Sequence, residues 1–257
     1  FHAYKLYSLP PPRAEISDPR HQRLSCDQHL ANHSVYSGLA TTYDQDVGTD
    51  EWLMGLQRRR RKAVELCEGA VLETAAGTGR NLALFADNKA VSSLTLTDAS
   101  APMLQVAFSV AKELVAKNAL PPLSFSVLDL DNDAALTASS SSNMSKPKLN
   151  AYDSVIDTFG LCSVADPSKA LANMRDMLKP GGKLILLEHG RTQSPIWGNW
   201  INAALDKTAQ MHADKWGCWW NRDLESFVRG VPGLEIECVT RYHFGTTIEV
   251  IARRCAA

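Results

Sequence analysis

The sequence predicts an α/β fold in which helices cover a doubly wound, mainly parallel sheet. Short apolar runs alternate with segments of helical period between residues 51 and 190, as they do in folds of this class. A turn with two glycines follows the first apolar run, and parallel sheets bind ligands at the carboxyl ends of their strands. Two β-like runs that no helix separates close the chain. They predict an antiparallel hairpin after the parallel strands.

The first half of the chain supplies the elements on either side of this turn. A helix in residues 51–67 precedes a strand at 70–75, and a helix at 80–88 precedes a strand at 93–99. Ser100 is expected to cap the next helix, and Pro102 lies in the first turn of that helix, where proline is tolerated. This helix presents one apolar face, formed by Leu104, Ala107, Phe108, Ala111, Leu114 and Val115.

The second half continues the same alternation. Its elements are a third strand at 123–128, a polar surface loop at 137–148, a fourth strand at 152–159, a helix at 168–178, a helix stop and turn at 179–182, a fifth strand at 183–190, and closing strands at 234–243 and 246–254. Residues 1–34, rich in proline and turn residues, are expected to form an N-terminal arm that is disordered or binds a partner. Residues 35–257 then form one domain.

Composition narrows the function. The net charge of −1 gives no overall attraction to nucleic acid or to an anionic membrane, so nucleic acid is not a favoured partner. No apolar run reaches the length of about 18 residues that a membrane span needs. The six cysteines are scattered without a C-x-x-C pair. This spacing is typical of free thiols, and it leads us to expect neither a zinc site nor any other metal site.

The glycine turn lies in "VLETAAGTGRNL", residues 71–82. Gly77 and Gly79 allow a tight turn and a close approach of backbone to a ligand. The dinucleotide fingerprint would place a third glycine at position 82, where this chain has Leu82. A P-loop needs lysine followed by serine or threonine, but Arg80 and Asn81 stand there instead. A turn with a purely structural role is the alternative.

Three carboxylates near strand ends add to this pattern. Asp98 ends the second strand, 19 residues after Gly79, where a carboxylate can accept hydrogen bonds from both hydroxyls of an adenosine ribose; an N-cap is the alternative. Glu73 lies within the first strand, and burying it is costly unless a cation pairs with it. Asp129, after the third strand, can meet an adenine amino group or be a solvated turn residue.

Together these motifs resemble the class I S-adenosylmethionine-dependent methyltransferases. The match consists of "VLETAAGTG", "LTLTDAS", "VLDLD", "YDSVIDTFGLCSV" and "MLKPGGKLILLEHG" in the family's order, and it covers residues 36–254. Within the class, the chain is most similar to the ubiquinone/menaquinone C-methyltransferase group, through "VYSGLATTYDQD", and to the methyltransferase-like-7 group, through "GCWWNRD" and "HFGTT". The resemblance implies a seven-stranded Rossmann-like methyltransferase sheet whose last strand is antiparallel.

The resemblance also implies which residues bind S-adenosylmethionine. Glu73, Ala75, Gly77 and Gly79 would line its methionine part, Asp98 its ribose, Met103, Asp129 and Leu130 its adenine, and Asp157 and Thr158 the methyl end, while Tyr43 would close over it. Ala75 departs from the family, which usually has glycine there. Its methyl group is accommodated if φ is negative and strains the turn otherwise.

The reaction implied is an in-line displacement of the methyl group from the sulfonium. Because the sulfonium is already activated, the protein mainly positions the reactants and excludes water. A general base helps only if the acceptor loses a proton. His189, after the fifth strand, is the first candidate and His212 the second; a structural hydrogen bond is the alternative for His189.

Two further segments have both a functional and a structural interpretation. The basic run of residues 58–62 could contact RNA phosphates or lipid headgroups, but such a run is more often a solvated helix face. The tryptophan-rich segment 216–223 could form a lid over an apolar acceptor or a core contact.

We therefore expect a methyltransferase that acts on a small apolar acceptor, such as a quinone precursor or a thiol. The alternative is an assembly factor or structural subunit of a larger complex, such as a mitochondrial ribonucleoprotein, bound through the N-terminal arm. Some relatives of the methyltransferase-like-7 group are found in mitochondria, so the expected compartment is mitochondrial, or otherwise cytoplasmic.

Overall fold

A computed structural model describes residues 26–40, 42–44, 46, 48, 53–117, 120–131 and 147–256. The strands are β1 (Gly69–Thr74), β2 (Val91–Asp98), β3 (Leu123–Val127), β4 (Tyr152–Thr158), β5 (Leu178–His189), β6 (Leu234–Tyr242) and β7 (Thr247–Arg254). The helices of the described part are α1 (Cys26–Leu39), α2 (Leu56–Glu65), α3 (Leu82–Phe85), α4 (Ala101–Val115), α5 (Pro167–Met177), α6 (Gly198–Trp216) and α7 (Leu224–Arg229). A short 3₁₀ helix, His243–Gly245, joins β6 to β7.

The strands form one seven-stranded sheet in the order β3-β2-β1-β4-β5-β7-β6. Strands β1 to β5 pair in parallel, whereas β7 runs antiparallel to both β5 and β6. This confirms the predicted α/β fold, the seven strands and the antiparallel last strand. The strand order changes direction between β1 and β4, and in open α/β sheets the ligand crevice lies at the carboxyl ends of the strands beside such a point.

Helices on both faces of the sheet bury two apolar layers. One layer packs α5 and α7 on the sheet through residues such as Leu171, Met174 and Phe227. The other packs α2, α3 and α4, with Val64, Phe85 and other buried residues at its centre. The crevice between β1 and β4 therefore lies between these two packed layers.

The helix after the glycine turn is shorter than predicted, because α3 spans only Leu82–Phe85. The α4 helix begins as predicted: the side chain of Ser100 caps it by accepting a hydrogen bond from the N–H of Met103 at 3.4 Å. Its apolar face is narrower than predicted, since Phe108 and Val115 are 46% and 50% exposed. Phe108 instead packs edge-on against Phe125 of β3, with ring centroids 5.5 Å apart.

The predicted stop and turn at 179–182 is a bulge at the start of β5. Residues Tyr152 and Ser154 of β4 pair with Leu178 and Lys183 of β5, so β5 fits four residues where β4 has one. Gly181 takes a φ of +76° inside this bulge, a conformation that glycine adopts without strain. Helix α5 therefore runs directly into the strand.

The predicted arm ends inside a helix, because α1 begins at Cys26. Residues 1–25 and most of the polar loop 137–148 lie outside the described residues. Within the described part of the chain, none of the helices is both long enough and apolar enough to cross a bilayer.

Candidate functional site

A pocket opens at the carboxyl ends of β1, β2 and β4, and it measures about 880 Å³ with its open mouth included. Eight of the residues predicted from sequence line it: Tyr43, Ala75, Gly77, Asp98, Met103, Asp129, Leu130 and Thr158. The other five, Glu73, Gly79, Asp157, His189 and His212, are absent from its lining.

The two glycines of the turn have different structural roles. Gly77 has a φ of +56° and open space where a Cβ would lie, and its N–H donates to Oδ2 of Asp98 at 2.8 Å. Gly79 has a φ of +82°, and a Cβ there would lie 2.6 Å from Cδ1 of Leu82 and 3.1 Å from Cβ of Ala107. Gly79 therefore lets the turn pack closely on α4, while Gly77 faces the pocket.

Ala75 has a φ of +46°, so its conformation is strained by about 1 kcal/mol relative to glycine. There is space for its methyl group because the residue that faces it, residue 160 after β4, is a glycine. A Cβ added to Gly160 would lie only 2.4 Å from Cβ of Ala75. The extra methyl group at position 75 thus depends on the missing side chain at position 160.

Asp98 is held in place by backbone amides. Its Oδ1 accepts from the N–H of Ser100 and its Oδ2 from the N–H of Gly77, both at 2.8 Å. Burial raises the pKa of Asp98 to about 6, although both of these hydrogen bonds oppose the shift. The N-cap interpretation is excluded, since Ser100 caps α4.

Glu73 lies behind the pocket wall and is 1% exposed. Its Oε1 accepts from Nδ2 of Asn81 at 2.8 Å, but its buried Oε2 has no hydrogen-bond partner among the described residues. Burial raises the pKa of Glu73 to about 8, against the effects of Asn81 and Arg60. An orphaned carboxylate oxygen of this kind is stabilised by a nearby cation.

Arg60 supplies part of that charge and is itself only 4% exposed. Its Nη1 donates to Oγ1 of Thr158 at 2.7 Å, and its guanidinium lies 4.9 Å from the ring centroid of Phe159. The arginine reaches the pocket lining beside Thr158. A cation and an ionisable carboxyl group are therefore both present where β1 and β4 end.

Asp157 points away from the pocket into a buried carboxyl pair. Its Oδ2 accepts from Oγ1 of Thr74 at 2.7 Å, and the N–H of Gly160 donates to Asp157 at 2.9 Å and to Glu188 at 3.0 Å. Burial raises the pKa of both carboxyl groups, and the proximity of Asp157 raises that of Glu188 further. The expectation that Asp157 faces the methyl end thus differs from this geometry, in which it holds the loop after β4.

Both histidines lie outside the pocket lining. His212 donates from Nδ1 to the carbonyl oxygen of Cys218 at 2.8 Å and stacks on Trp220 at 3.8 Å, and burial lowers its pKa. These contacts are typical of a structural histidine, and they hold His212 away from the pocket in which catalysis was expected. The ring of His189 lies 4.6 Å from that of Phe159, behind the pocket surface.

Helix α1 and the residues that follow it cover the pocket. The hydroxyl of Tyr36 hydrogen-bonds Oγ of Ser163 at 2.6 Å, and its ring lies 6.3 Å from that of Tyr43. Oδ1 of Asp44 accepts from Oγ1 of Thr78 at 2.8 Å and from Nη1 of Arg80 at 3.0 Å. The cover is thereby attached to the glycine turn.

Comparisons with known proteins agree with this geometry. Residues 72–184 match the sequence model of a family described as "Methyltransferase domain". The ubiquinone/menaquinone biosynthesis C-methyltransferase UbiE of Bdellovibrio bacteriovorus is 30% identical over 187 residues, which are 67% of this chain and 71% of that protein.

The chain belongs to the class I S-adenosylmethionine-dependent methyltransferases.

A second relative of this methyltransferase is "Methyltransferase OMS1, mitochondrial" of Saccharomyces cerevisiae, which is 36% identical over 223 residues. The match covers 86% of this chain but 46% of the yeast protein, so the chain spans less than half of that relative's length. Among solved structures, the methyltransferase in complex with the Haloferax volcanii Trm112 activator superposes with a TM-score of 0.61. The superposition covers 86% of this chain and 97% of that methyltransferase, at 16% sequence identity, which shows a shared fold.

The cofactor of this methyltransferase is S-adenosylmethionine, and the residues present fit it. The cofactor carries two positive groups, a sulfonium and an ammonium. Glu73, in β1 next to the pocket, has a buried carboxyl oxygen without a hydrogen-bond partner among the described residues and could balance that charge. The cofactor also carries a carboxylate, for which Arg60 is the nearby cation, and a ribose diol, for which Asp98 lines the pocket. The open space at Gly77 leaves room for a ligand against the backbone of the turn.

Sequence reasoning missed Arg60, which was expected to belong to a solvated basic face. A helical period contained the signal, because Leu56, Arg60, Ala63 and Val64 are spaced as one face and are all buried. The rest of the run agrees better with the expectation: Arg61 makes an exposed ion pair with Asp87. Tyr36 and Glu188 were also missed, since their roles depend on partners more than 25 residues away.

No metal site was expected from cysteine spacing, but the fold brings together a cluster of possible ligands that the spacing does not reveal. The ligand atoms of Cys162, His189 and Cys218 all lie within 4.8 Å of one another. Spacing rules detect only ligands that are close in sequence, whereas the fold brings these three together from separate segments. The segment 216–223 is a core contact at Trp219, which packs with Ala209 and Ala213.

Proposed function

We propose that this methyltransferase methylates a small apolar acceptor of the quinone-precursor type. One observation carries the proposal: Tyr36, Tyr43, Phe159 and Val164 give the pocket an aromatic and apolar part of its lining. Such a surface suits a flat, uncharged ring. The names of the quinone-methylating relatives support the same substrate class. A small thiol is the second acceptor to be tested.

The residues on the β1 and β2 side bind the cofactor in this proposal. Asp98 accepts hydrogen bonds from the ribose hydroxyls, because its two backbone partners leave lone pairs that face the pocket. Glu73 and Arg60 balance the charges of the methionine part. Met103 and Leu130 pack against the adenine, while Asp129 lies at its polar edge. When bound, the cofactor supplies a methyl group that is already activated on sulfur.

The residues on the β4 side then orient the acceptor and exclude water. Burial raises the pKa of the Tyr36 hydroxyl well above its usual range, as do the nearby Cys162, Tyr43 and Cys218. Tyr36 therefore stays protonated at neutral pH and can hydrogen-bond an oxygen of the acceptor together with Ser163. Tyr43 closes the pocket over the reacting atoms through the contacts that Asp44 makes with the glycine turn.

We also propose a mitochondrial location, which rests on the yeast relative whose name includes that compartment. Expression of the full-length gene product with a fluorescent tag tests it against a mitochondrial marker. A diffuse signal outside mitochondria would contradict it.

The acceptor is tested with purified protein, S-adenosylmethionine carrying a deuterated methyl group, and three acceptors in parallel. These are a prenylated demethylnaphthoquinol, a demethylbenzoquinol and an alkyl thiol. We expect the label on a ring carbon of a quinol, with mass spectrometry as the readout and Asp98→Ala as the inactive control. Labelling of the thiol alone would transfer the proposal to thiol acceptors. Tight cofactor binding without labelling of any of the three would contradict a small acceptor of either kind.

A further inference from the structure

Two cysteines and a histidine meet behind the acceptor side of the pocket, and we call them the thiol cluster. Cys162 lies in the loop after β4, His189 ends β5, and Cys218 lies in the loop after α6. Both thiols are buried and the imidazole is partly exposed. The three ligand atoms lie within 4.8 Å of each other, although the residues are separated by dozens of positions in sequence.

The spacing of the cluster matches that of a tetrahedral metal site. Sγ of Cys218 and Nδ1 of His189 are 3.6 Å apart. A tetrahedral zinc ion with a Zn–S distance of about 2.3 Å and a Zn–N distance of about 2.0–2.1 Å holds its sulfur and nitrogen ligands about 3.6 Å apart. One sulfur–nitrogen pair of the cluster therefore already has the separation that a shared zinc ion requires.

Arg222 provides a second, independent observation. It is 1% exposed, and its Nη1 donates to the carbonyl oxygen of Leu161 at 2.7 Å. Its Nε and Nη2 are buried and have no hydrogen-bond partner among the described residues. The guanidinium interacts electrostatically with Cys162 and Cys218, and also with Asp131 and Glu188. A buried cation with unused N–H groups near the two thiols would stabilise negative charge that develops on sulfur when a metal ion displaces the thiol protons.

We propose that Cys162, His189 and Cys218 bind a zinc ion with the two sulfurs as thiolates. Three protein ligands leave a fourth coordination position open, as in zinc sites that take a water molecule or a substrate. The partly exposed imidazole gives the ion its entry path. Each bound ion displaces one proton from each thiol, so that two protons are released into solvent and the dication is balanced by two thiolates.

The zinc site would stiffen the wall against which the acceptor lies. His189 packs on Phe159, and Oγ of Ser163 lies 3.5 Å from Sγ of Cys162. Phe159 and Ser163 both line the pocket. One ion would therefore link the loop after β4, the end of β5 and the loop after α6, while leaving the β1 and β2 side unchanged. This inference does not depend on the identity of the acceptor.

Zinc binding is tested by competition with a chromogenic chelator on the reduced, full-length chain, and by Co²⁺ substitution. We expect one zinc per chain and a thiolate-to-cobalt charge-transfer band. Cys162→Ser, Cys218→Ser and His189→Gln should each weaken zinc binding at least about 100-fold. Cys67→Ser and Cys238→Ser, which alter a buried and an exposed thiol outside the cluster, should bind zinc as the unaltered chain does.

Two further measurements distinguish loss of the zinc site from loss of the fold. Each cluster variant should still bind S-adenosylmethionine, and zinc should raise the melting temperature of the unaltered chain but not that of the variants. The proposal is overturned if the reduced protein does not take up zinc at concentrations of about 100 µM, or if Cys162→Ser and Cys218→Ser retain full affinity. It is also overturned if Cys162 and Cys218 form a disulfide in air and the protein, once it is reduced again, still does not bind zinc.

Discussion

The side of the pocket formed by β1 and β2 differs from the side formed by β4, β5 and α1 in how its residues reach the site. On the first side, Glu73, the glycine turn and Asp98 lie within 26 consecutive residues; Asn81 holds Glu73, and backbone amides hold Asp98. On the second side, Tyr36, Ser163 and the thiol cluster come from four separate segments. The first side therefore varies little once the strand and turn form, whereas the second depends on the packing of the whole domain and can diversify with the acceptor.

The largest effect is expected at Asp98, on the side formed by β1 and β2, which we call the local side because its residues are close in sequence. Asp98→Ala removes the acceptor of two backbone N–H groups and of the ribose hydroxyls in the proposed complex. Charge-assisted hydrogen bonds contribute about 1.5–3 kcal/mol each, so the loss of two of them should lower the affinity for S-adenosylmethionine by at least about 100-fold, as measured by calorimetry. Asp87→Ala, at a carboxylate that is exposed and paired with Arg61, is the matched control and should leave the affinity unchanged. Equal affinity in the two variants would show that the cofactor lies elsewhere.

Arg60 tests whether the two sides are joined where β1 and β4 end. Arg60→Ala breaks the hydrogen bond to Thr158 and removes a buried charge next to Glu73. We expect a loss of about 2 kcal/mol in cofactor binding, or about 30-fold, measured in the same titration. The neighbouring Arg61→Ala removes only an exposed ion pair and should change stability and affinity by less than about 0.5 kcal/mol. If both variants behave alike, the basic run acts only as a solvated face.

The local side could be predicted from the sequence because its signals are short-range. The order of strand, glycine turn and carboxylate gave Asp98 its expected position, and the structure brings eight of the predicted residues to one pocket. Distant contacts could not be predicted in the same way. The cluster of Cys162, His189 and Cys218, and the buried carboxyl pair of Asp157 and Glu188, form only when β4 and β5 pair and α6 packs behind them. No spacing rule in a single sequence contains that information.

A pH titration sharpens the comparison, because the local side contains the titrating carboxylates. Burial raises the pKa of Asp98 to about 6, above its unfolded value of about 3.9. In the cofactor-free protein, its contribution to stability is therefore full below about pH 4 and is lost as the pH rises through 6. Cofactor binding has the opposite sign, since the ribose hydroxyls donate to the ionised form. Below pH 6 the affinity should fall up to about tenfold per pH unit.

Two variants separate the contributions to that titration. Asp98→Asn cannot ionise and should remove the part of the slope that begins near pH 6, leaving the part that Glu73 contributes. Burial raises the pKa of Glu73 to about 8, and pairing with the cofactor ammonium favours its ionised form, so Glu73→Gln should remove the part of the slope that begins near pH 8 and leave the step of Asp98 near pH 6. Calorimetry from pH 5 to 9 measures both slopes. An unaltered slope below pH 6 in Asp98→Asn would assign the titration to another group.

The smallest effect is expected at Ala75, the residue at which the two sides touch. Ala75→Gly relieves a φ of +46°, which stabilises the folded state by about 1 kcal/mol, but it adds about 0.5–1 kcal/mol of chain entropy to the unfolded state. The two terms nearly cancel, so the free energy of unfolding should change by less than about 0.5 kcal/mol. The adjacent Ala76→Gly is the matched control, because Ala76 is buried and has no positive φ. It gains no relief and loses a buried methyl group, so it should be destabilised by about 1–2 kcal/mol. Chemical denaturation of the two variants measures the difference. If Ala75→Gly were destabilised as much as Ala76→Gly, the methyl group facing Gly160 would be a required contact between the two sides instead of a tolerated one.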